Sequence, residues 1–592
     1  MRRLSKLILV WLALALTLPL RASDDDVVMK AMRDEMARSV AMQLQGLQKP
    51  YFVSFRIQDL NDVTVAASMG SLDSSKKTRR RTLEVQIRVG DYKLDNSNYI
   101  SFGSREMGGA GTLKEITVDD NYAEVRRQIW LATDTEYKSA VKLLAAKQAA
   151  LQNQRSAEEV PDFSQEQPNK HFESWKPSAV DVAALEAAAR KASAILRQVP
   201  EPQSSSVTIH ASEAYTRYLS SEGTEYTKPY VITYMEVEAG TQADDGIPLD
   251  DTEQVFVQSV ADLSGAKVTE QVQQIVARLQ KLRTTGSFDR YNGPVLFEAE
   301  AGPEVFAQVF APALVASRDV ITDSPQAQAF LEQMVGRFNG GNLADRIGGR
   351  VLPDSVKVVD DPQLASFEGQ PLYGTYVVDD DGLPARSNTV IESGILKLVL
   401  VSRTPVRGAT HSTGSRRGLS AVPSNMIFTS GKTATDGELQ KMLLERAKSR
   451  GLEYAVVVRR AGGSYNEFMQ TIATIMKGEA STGNTMLEVY KLYADGREEL
   501  VHGEQLVSMT PSAFKDIVAV GTKPVIYNSI FVPGFSSLMM IGLRGEADVT
   551  MVPVVSYVAP SLLFEEATLK KASGPFPKAP VTSPPQLKPV AD

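Results

Sequence analysis

Residues 293–314 read Gly-Pro-Val-Leu-Phe-Glu-Ala-Glu-Ala-Gly-Pro-Glu-Val-Phe-Ala-Gln-Val-Phe-Ala-Pro-Ala-Leu. A short apolar strand, 295–297, leads through Gly302-Pro303 into a helical pattern. The spacing of Val305, Phe306, Val309, Phe310 and Leu314 gives that helix one apolar face, and predicts a helix over 303–316. Among the other residues of that stretch are Ala307, Gln308 and Pro312. Alanine and proline offer no ligand atom, and an amide is a very poor base near neutral pH.

Outward from this stretch, the chain of 592 residues is long enough for several domains. Hydrophobic content of 43% is ample for sizeable cores, and charged content of 23% is ordinary. The formal net charge is −7. Removing residues 1–22 takes away Arg2, Arg3, Lys6 and Arg21 and brings it to −11. Such an acidic balance argues against a nucleic-acid partner.

The first residues have the order of an export signal. Arg2, Arg3 and Lys6 precede the apolar run 7–20, and Arg21-Ala22-Ser23 leads into the acidic cluster 24–26. The run is short for a membrane span, so a signal peptide over 1–22 is expected, with an uncleaved anchor as the alternative. No cysteine stands at a lipidation position, which leaves a periplasmic or secreted protein with no transmembrane segment after cleavage. With no cysteine anywhere, disulfides and thiolate ligands are excluded. The four histidines, His171, His210, His411 and His502, are far apart, and no two stand at metal-ligand spacing.

An α+β architecture is expected: a mixed α/β N-terminal part followed by a β-rich C-terminal domain. Its predicted divisions are an N-terminal α/β domain over 23–155, a linker over 156–178, a middle α/β domain over 179–290, a β-rich domain over 291–570 and a Pro-rich tail over 571–592. Helical spacing marks 26–48, 120–152, 179–197, 268–282, 325–338 and 436–448. Alternating segments at 51–57, 63–69, 82–89, 205–211, 216–221 and 230–242 read as strands. The basic run 76–81 is expected at a solvated hairpin turn, and 155–176 reads as a linker or mobile loop. Ser430-Gly431-Lys432-Thr433 lacks the upstream glycine of a phosphate-binding loop, because Met426 stands there. The acidic groups 360–361, 379–381 and 565–566 are expected in solvated turns or strand ends.

Several short segments in order resemble one family. Tyr218-Leu219-Ser220-Ser221-Glu222-Gly223 and Asp244-Asp245-Gly246 lie in the second unit. In the third are VVDDDGLPAR (377–386), TVIESGIL (389–396), Gly414-Ser415-Arg416-Arg417-Gly418, FKDIVAVGTKP (514–524) and VAPSLLFEE (558–566). Together these are similar to TldD/PmbA metallopeptidases over most of 179–570. In that family a His-Glu-x-x-x-His motif opens the helix after the 295–297 strand. Laid on this pattern, Ala307 replaces the first His, Gln308 the Glu and Pro312 the second His.

The resemblance implies a metallopeptidase-related chain that has lost its zinc ligands, inactive alone. Such a chain would be a peptide-binding or partner subunit beside a related metal-bearing TldD-type subunit. Extended peptides would be held by strand addition, with Arg459, Arg460, Gly462 and Gly463 as the candidate surface. No catalytic residue, metal ligand or cofactor is expected. Two alternatives stand: an active peptidase with a rebuilt site, zinc being held by carboxylates and one of the histidines, and a structural envelope protein without a ligand.

Overall fold

The computed structural model describes residues 26–43, 46–100, 112–153, 160–329, 342–418, 420–462, 484–507, 509–531 and 553–574, together with 332, 576, 578, 580 and 582. The expected signal over 1–22, most of the 571–592 tail, Gly463 and residues 464–467 lie outside them. Among the described residues no helix is long and apolar enough to cross a membrane.

The architecture is α+β and rests on two sheets. Among the described residues the first has seven strands: β1 (Pro50–Ser68), β2 (Ser71–Val89), β3 (Thr112–Ile116), β4 (Lys170–Phe172), β5 (Ser204–Ser220), β6 (Glu225–Gln242) and β7 (Pro248–Val257). Their order is β3-β2-β1-β5-β6-β4, with β7 also on β6. β1 pairs with β2 on one side and β5 on the other, so the stretches 23–155 and 179–290 contribute to a single sheet.

The physical reason they read as two units lies on the helical face of that sheet. Helices α1 (Val27–Ser39) and α2 (Tyr122–Asn153) cover Phe55, Ile57 and Val85 at one end. Helices α3 (Val182–Ile195) and α4 (Ala266–Leu282) cover Val63, Val65 and Val207 at the other. Between the two apolar clusters runs a charged band. Asp59 accepts from Arg81 Nε and from Arg217 Nη1, each at 2.5 Å, and Arg217 Nε donates to Asp26 at 2.7 Å.

Three local expectations are corrected. The hairpin turns at Met69 and Gly70, both at positive φ, and not at the basic run. Residues 76–81 belong to β2, where Arg80 pairs with Asp62 and Arg81 with Asp59 and Asp120. Carboxylates on the partner strand and nearby thus offset the charge that suggested a turn. The described part of 156–178 is likewise no loose linker. Asp162 and Phe163 are buried, and β4 pairs in parallel with β6. Phe163 lies between two guanidinium groups, 3.8 Å from Arg88 and 4.0 Å from Arg403. In the acidic group 379–381, expected to be solvated, Asp379 and Asp381 are buried and Asp380 half-buried: Asp381 meets Arg416 at 2.5 Å and Asp380 meets Lys228 of β6 at 2.8 Å, tying the two halves together.

Among the described residues the second sheet has twelve strands, with 554–571 at its centre. Its main members are β8 (Arg290–Phe297), β9 (Val356–Asp360), β10 (Asn388–Glu392), β11 (Asn425–Ser430), β12 (Tyr454–Arg460), β13 (Glu488–Tyr493), β14 (Glu498–Val501), β15 (Ile517–Ile530) and β16 (Val554–Lys571). The order is β10-β9-β11-β16-β8-β12-β13-β14, with β15 also on β16. Residues 554–564 of β16 are buried at every position, as a strand covered on both faces must be. Helix α5 (Ala301–Val305) lies on one face and α6 (Asp436–Ser449) on the other, the latter opened by a Thr435–Glu438 capping box.

Candidate functional site

The helix expected over 303–316 changes character along its length. α5 is α-helical, 306–310 is π-helical and 311–314 is a 3-10 turn. Pro312 explains the break: it has no N–H to give to the Gln308 carbonyl, and its ring crowds that carbonyl. The ladder widens just before it, with Ala311 N–H donating to Phe306 O.

Phe306 and Phe310 are fully buried against Phe514, as their spacing predicts, and Ala307 is buried beside them. At the start of the helix, Gly302 lies against the backbone of β16. A Cβ there would meet the Pro560 carbonyl oxygen at 2.2 Å. Gly302→Ala is expected to cost about 1–3 kcal/mol, because the helix must back away from the central strand. The matched change Gly437→Ala, with nothing within 4 Å of its Cβ, is expected to be neutral or stabilising in the same melting experiment.

The one acid in this helix carries the site's electrostatics. Glu304 is buried; its Oε1 accepts from Arg460 Nε at 2.8 Å and its Oε2 from Ala461 N at 2.5 Å. Arg460 Nη2 reaches Glu253 Oε2 of β7 at 2.9 Å. Burial pushes the Glu304 carboxyl up to about 7 against the opposing pull of Arg460. A few residues along, Gln308 Nε2 donates to Gly462 O.

These groups stand at one wall of an open cleft of about 890 Å³ between the two sheets. Residues 252–258 of β7 and its end form one side, and 524–528 of β15 another. Among the described residues β7 pairs only with β6, and 524–530 of β15 only with β16. Two strand edges that pair with no further described strand therefore border the cleft. Phe256 and Tyr373, with ring centroids 5.6 Å apart, and Tyr527 supply aromatic surface.

Of the predicted surface residues, Arg460 and Gly462 line this cleft. Arg459 does not. It points to the opposite side of β12, where it bonds Glu298 at 2.6 Å and Glu498 at 2.7 Å and lies 4.5 Å from the Tyr490 ring. Adjacent strand residues face opposite sides, so the pair could not both serve one site. Glu304 and Glu253 escape a sequence reading; the only hint is a lone acid inside an apolar helical pattern.

The residues at the motif positions do not fit a zinc ion. Ala307 and Pro312 have no donor atom, and Gln308, whose Nε2 donates to Gly462 O, could offer a metal no more than a single neutral amide oxygen. The histidines sit apart: His171 beside Glu173, His210 stacked on Tyr234, His411 near Glu166, and His502 between Thr285 and Asp245. Among the described residues no three His, Asp or Glu side chains form a group able to hold a metal. No metal-dependent step is derived for this chain.

Residues 290–571 match the model of the PmbA/TldA metallopeptidase C-terminal domain. A metalloprotease of Methanocaldococcus jannaschii is 36% identical over 107 residues, which is 17% of this chain and 23% of that protein. A metalloprotease of Archaeoglobus fulgidus is 29% identical over 106 residues, 17% of this chain and 24% of its own length. The match thus spans about a quarter of the length of these curated relatives. Among solved structures, TldE from Thermococcus kodakarensis aligns over 91% of this chain and 99% of its own, with TM-score 0.53 and 14% identity. A proposed modulator of DNA gyrase from Bacteroides thetaiotaomicron aligns over 93% and 99%, with TM-score 0.54 and 11% identity. At such identity these structures share the fold alone. Residues 290–571 thus belong to the C-terminal domain of the TldD/PmbA family, and the chain as a whole shares the fold of these structures.

Proposed function

We propose that this chain is an exported, non-catalytic TldD/PmbA subunit that holds extended peptides beside a related, metal-bearing TldD-type subunit. The observation that carries the reading is the cleft itself. The helix that bears the motif in the family runs from its wall, yet offers no ligand, while two strand edges that pair with no further described strand border the same space. Strand edges bind an extended chain through its backbone, with side chains alternating between the walls. The Gln308–Gly462 and Glu304–Arg460 contacts fix the helix to β12, which suits a rigid binding wall better than a reacting one. Export rests on the pattern of residues 1–22.

The experiment is a binding and cleavage assay with a fluorescent, mixed-sequence peptide and the same peptide N-methylated at alternate backbone positions. The chain alone, with zinc supplied, is expected to bind without cleaving. N-methylation should weaken binding by about tenfold or more, since each lost hydrogen bond is worth about 1 kcal/mol. Adding the chain to a metal-bearing relative from the same genome should change that relative's cleavage rate. Cleavage by the chain alone would sink the non-catalytic reading, and equal binding of the N-methylated peptide would sink strand addition.

A further inference from the structure

The cleft is lined by more carboxylates than cations, and this bears on which peptides it takes. Five carboxylates line the cleft, those of Glu253, Asp262, Glu300, Glu304 and Glu368, against the two cations Lys267 and Arg460. The charge of Arg460 is already spent, since it is gripped by Glu304 and Glu253 and is buried. Lys267 is thus the only uncommitted cation among the described lining residues. The carboxylates of Glu300 and Glu368, by contrast, are exposed and accept no hydrogen bond from a described residue. In the same wall Gln271 Oε1 is a buried acceptor with no donor among the described residues.

Resting on the peptide-cleft reading above, we infer that the cleft selects extended peptides with lysine or arginine side chains over acidic ones. The strand edges hold the backbone of any sequence. Phe256, Tyr373 and Tyr527 give apolar and aromatic surface, along which the alkyl stems of long basic side chains can lie. The ends of those side chains then reach Glu300 and Glu368. A concave, one-signed wall concentrates field lines, so its effect on a cationic ligand exceeds that of the same charges on a flat surface. An acidic peptide would meet like charge on both sides of its backbone. Charge complementarity of this kind sets partner choice more than raw affinity.

The test uses three peptides with one alternating scaffold, N-acetylated and C-amidated, bearing lysines, glutamates or glutamines at the same positions. Acetylation removes the terminal amine, so a charge preference can come only from side chains; a fourth, non-acetylated glutamine peptide measures the terminal amine separately. Binding to the full chain is read by fluorescence anisotropy at low and high salt. The lysine peptide is expected to bind about tenfold tighter than the glutamate peptide at low salt, with the gap narrowing at high salt. In Glu300→Lys/Glu368→Lys the order should reverse. Glu445→Lys, an exposed reversal on α6 outside the cleft, should leave it as it was.

Equal affinity for lysine and glutamate peptides overturns the charge preference but leaves the cleft reading intact, provided the glutamine peptide binds. A preference that survives the double reversal, or an advantage confined to the free terminal amine, overturns it as well. If no peptide binds, the cleft reading falls and the preference falls with it.

Discussion

Asp162→Ala is expected to destabilise the protein by about 3–5 kcal/mol, one of the two largest losses foreseen for a single replacement. Asp162 Oδ2 accepts from Lys147 Nζ at 2.6 Å and from Asp95 N at 2.8 Å, and Oδ1 lies 3.2 Å from Arg318 Nη1. Both members of the lysine pair are 1% exposed, so water cannot take over when the carboxylate is removed. Burial pushes the Lys147 amine down and the Asp162 carboxyl up, each toward its neutral form. Their mutual attraction offsets that cost, and deleting one partner leaves only the cost. Lys147→Met/Asp162→Leu should therefore recover much of the loss, because it removes the buried charges together. Denaturant midpoints of the single and double variants check this. A single-variant loss no larger than that of an exposed substitution would show that 160–164 does not lock the two sheets.

That result would bear on the part of the fold hidden from the sequence. The helix expected over 26–48, observed over Val27–Ser39, and the strand before Gly302 are legible because apolar residues at fixed periods report a buried face. Their cores, Val28, Met29 and Met32 under one helix and Val295 and Phe297 in the strand, follow that pattern. The segment 156–178 is polar and proline-bearing, and so reads as a connector. Asp162, Phe163 and β4 become structural only against partners distant in the chain, namely Lys147, Arg403 and Glu225. The split of the first sheet into two domains has a similar cause. A salt-bridged band divides its helical face, so each half shows a self-sufficient apolar pattern. Within the site, the loss of ligands at Ala307, Gln308 and Pro312 can be read directly, since one residue type decides each. The cleft cannot, because it is made where 252–258, 300–304, 460–462 and 524–528 converge.

Arg460→Ala is the second large effect, and pH makes it diagnostic. Removing the guanidinium takes away the bond to Glu304 and the tie from β12 to Glu253 of β7, leaving Glu304 with Ala461 N alone. A buried carboxylate stripped of its cation costs about 3–5 kcal/mol when it must stay ionised. In the native protein the Glu304 carboxyl is already pushed up to about 7, above the ordinary 4.5. Between those values the folded state binds more protons than the unfolded one. Stability from this group therefore falls as pH rises through that window, and below it the penalty is absent. Without Arg460 the folded value moves higher, and the window extends upward. The deficit of Arg460→Ala relative to the native protein should accordingly be largest near pH 8 and shrink toward pH 5. Arg460→Ala/Glu304→Gln should lose that dependence, because the neutral amide carries no charge to strand. Chemical denaturation across this pH range reads both variants. A deficit independent of pH would mean that Arg460 acts by packing and by its tie to Glu253, and not by holding the Glu304 charge.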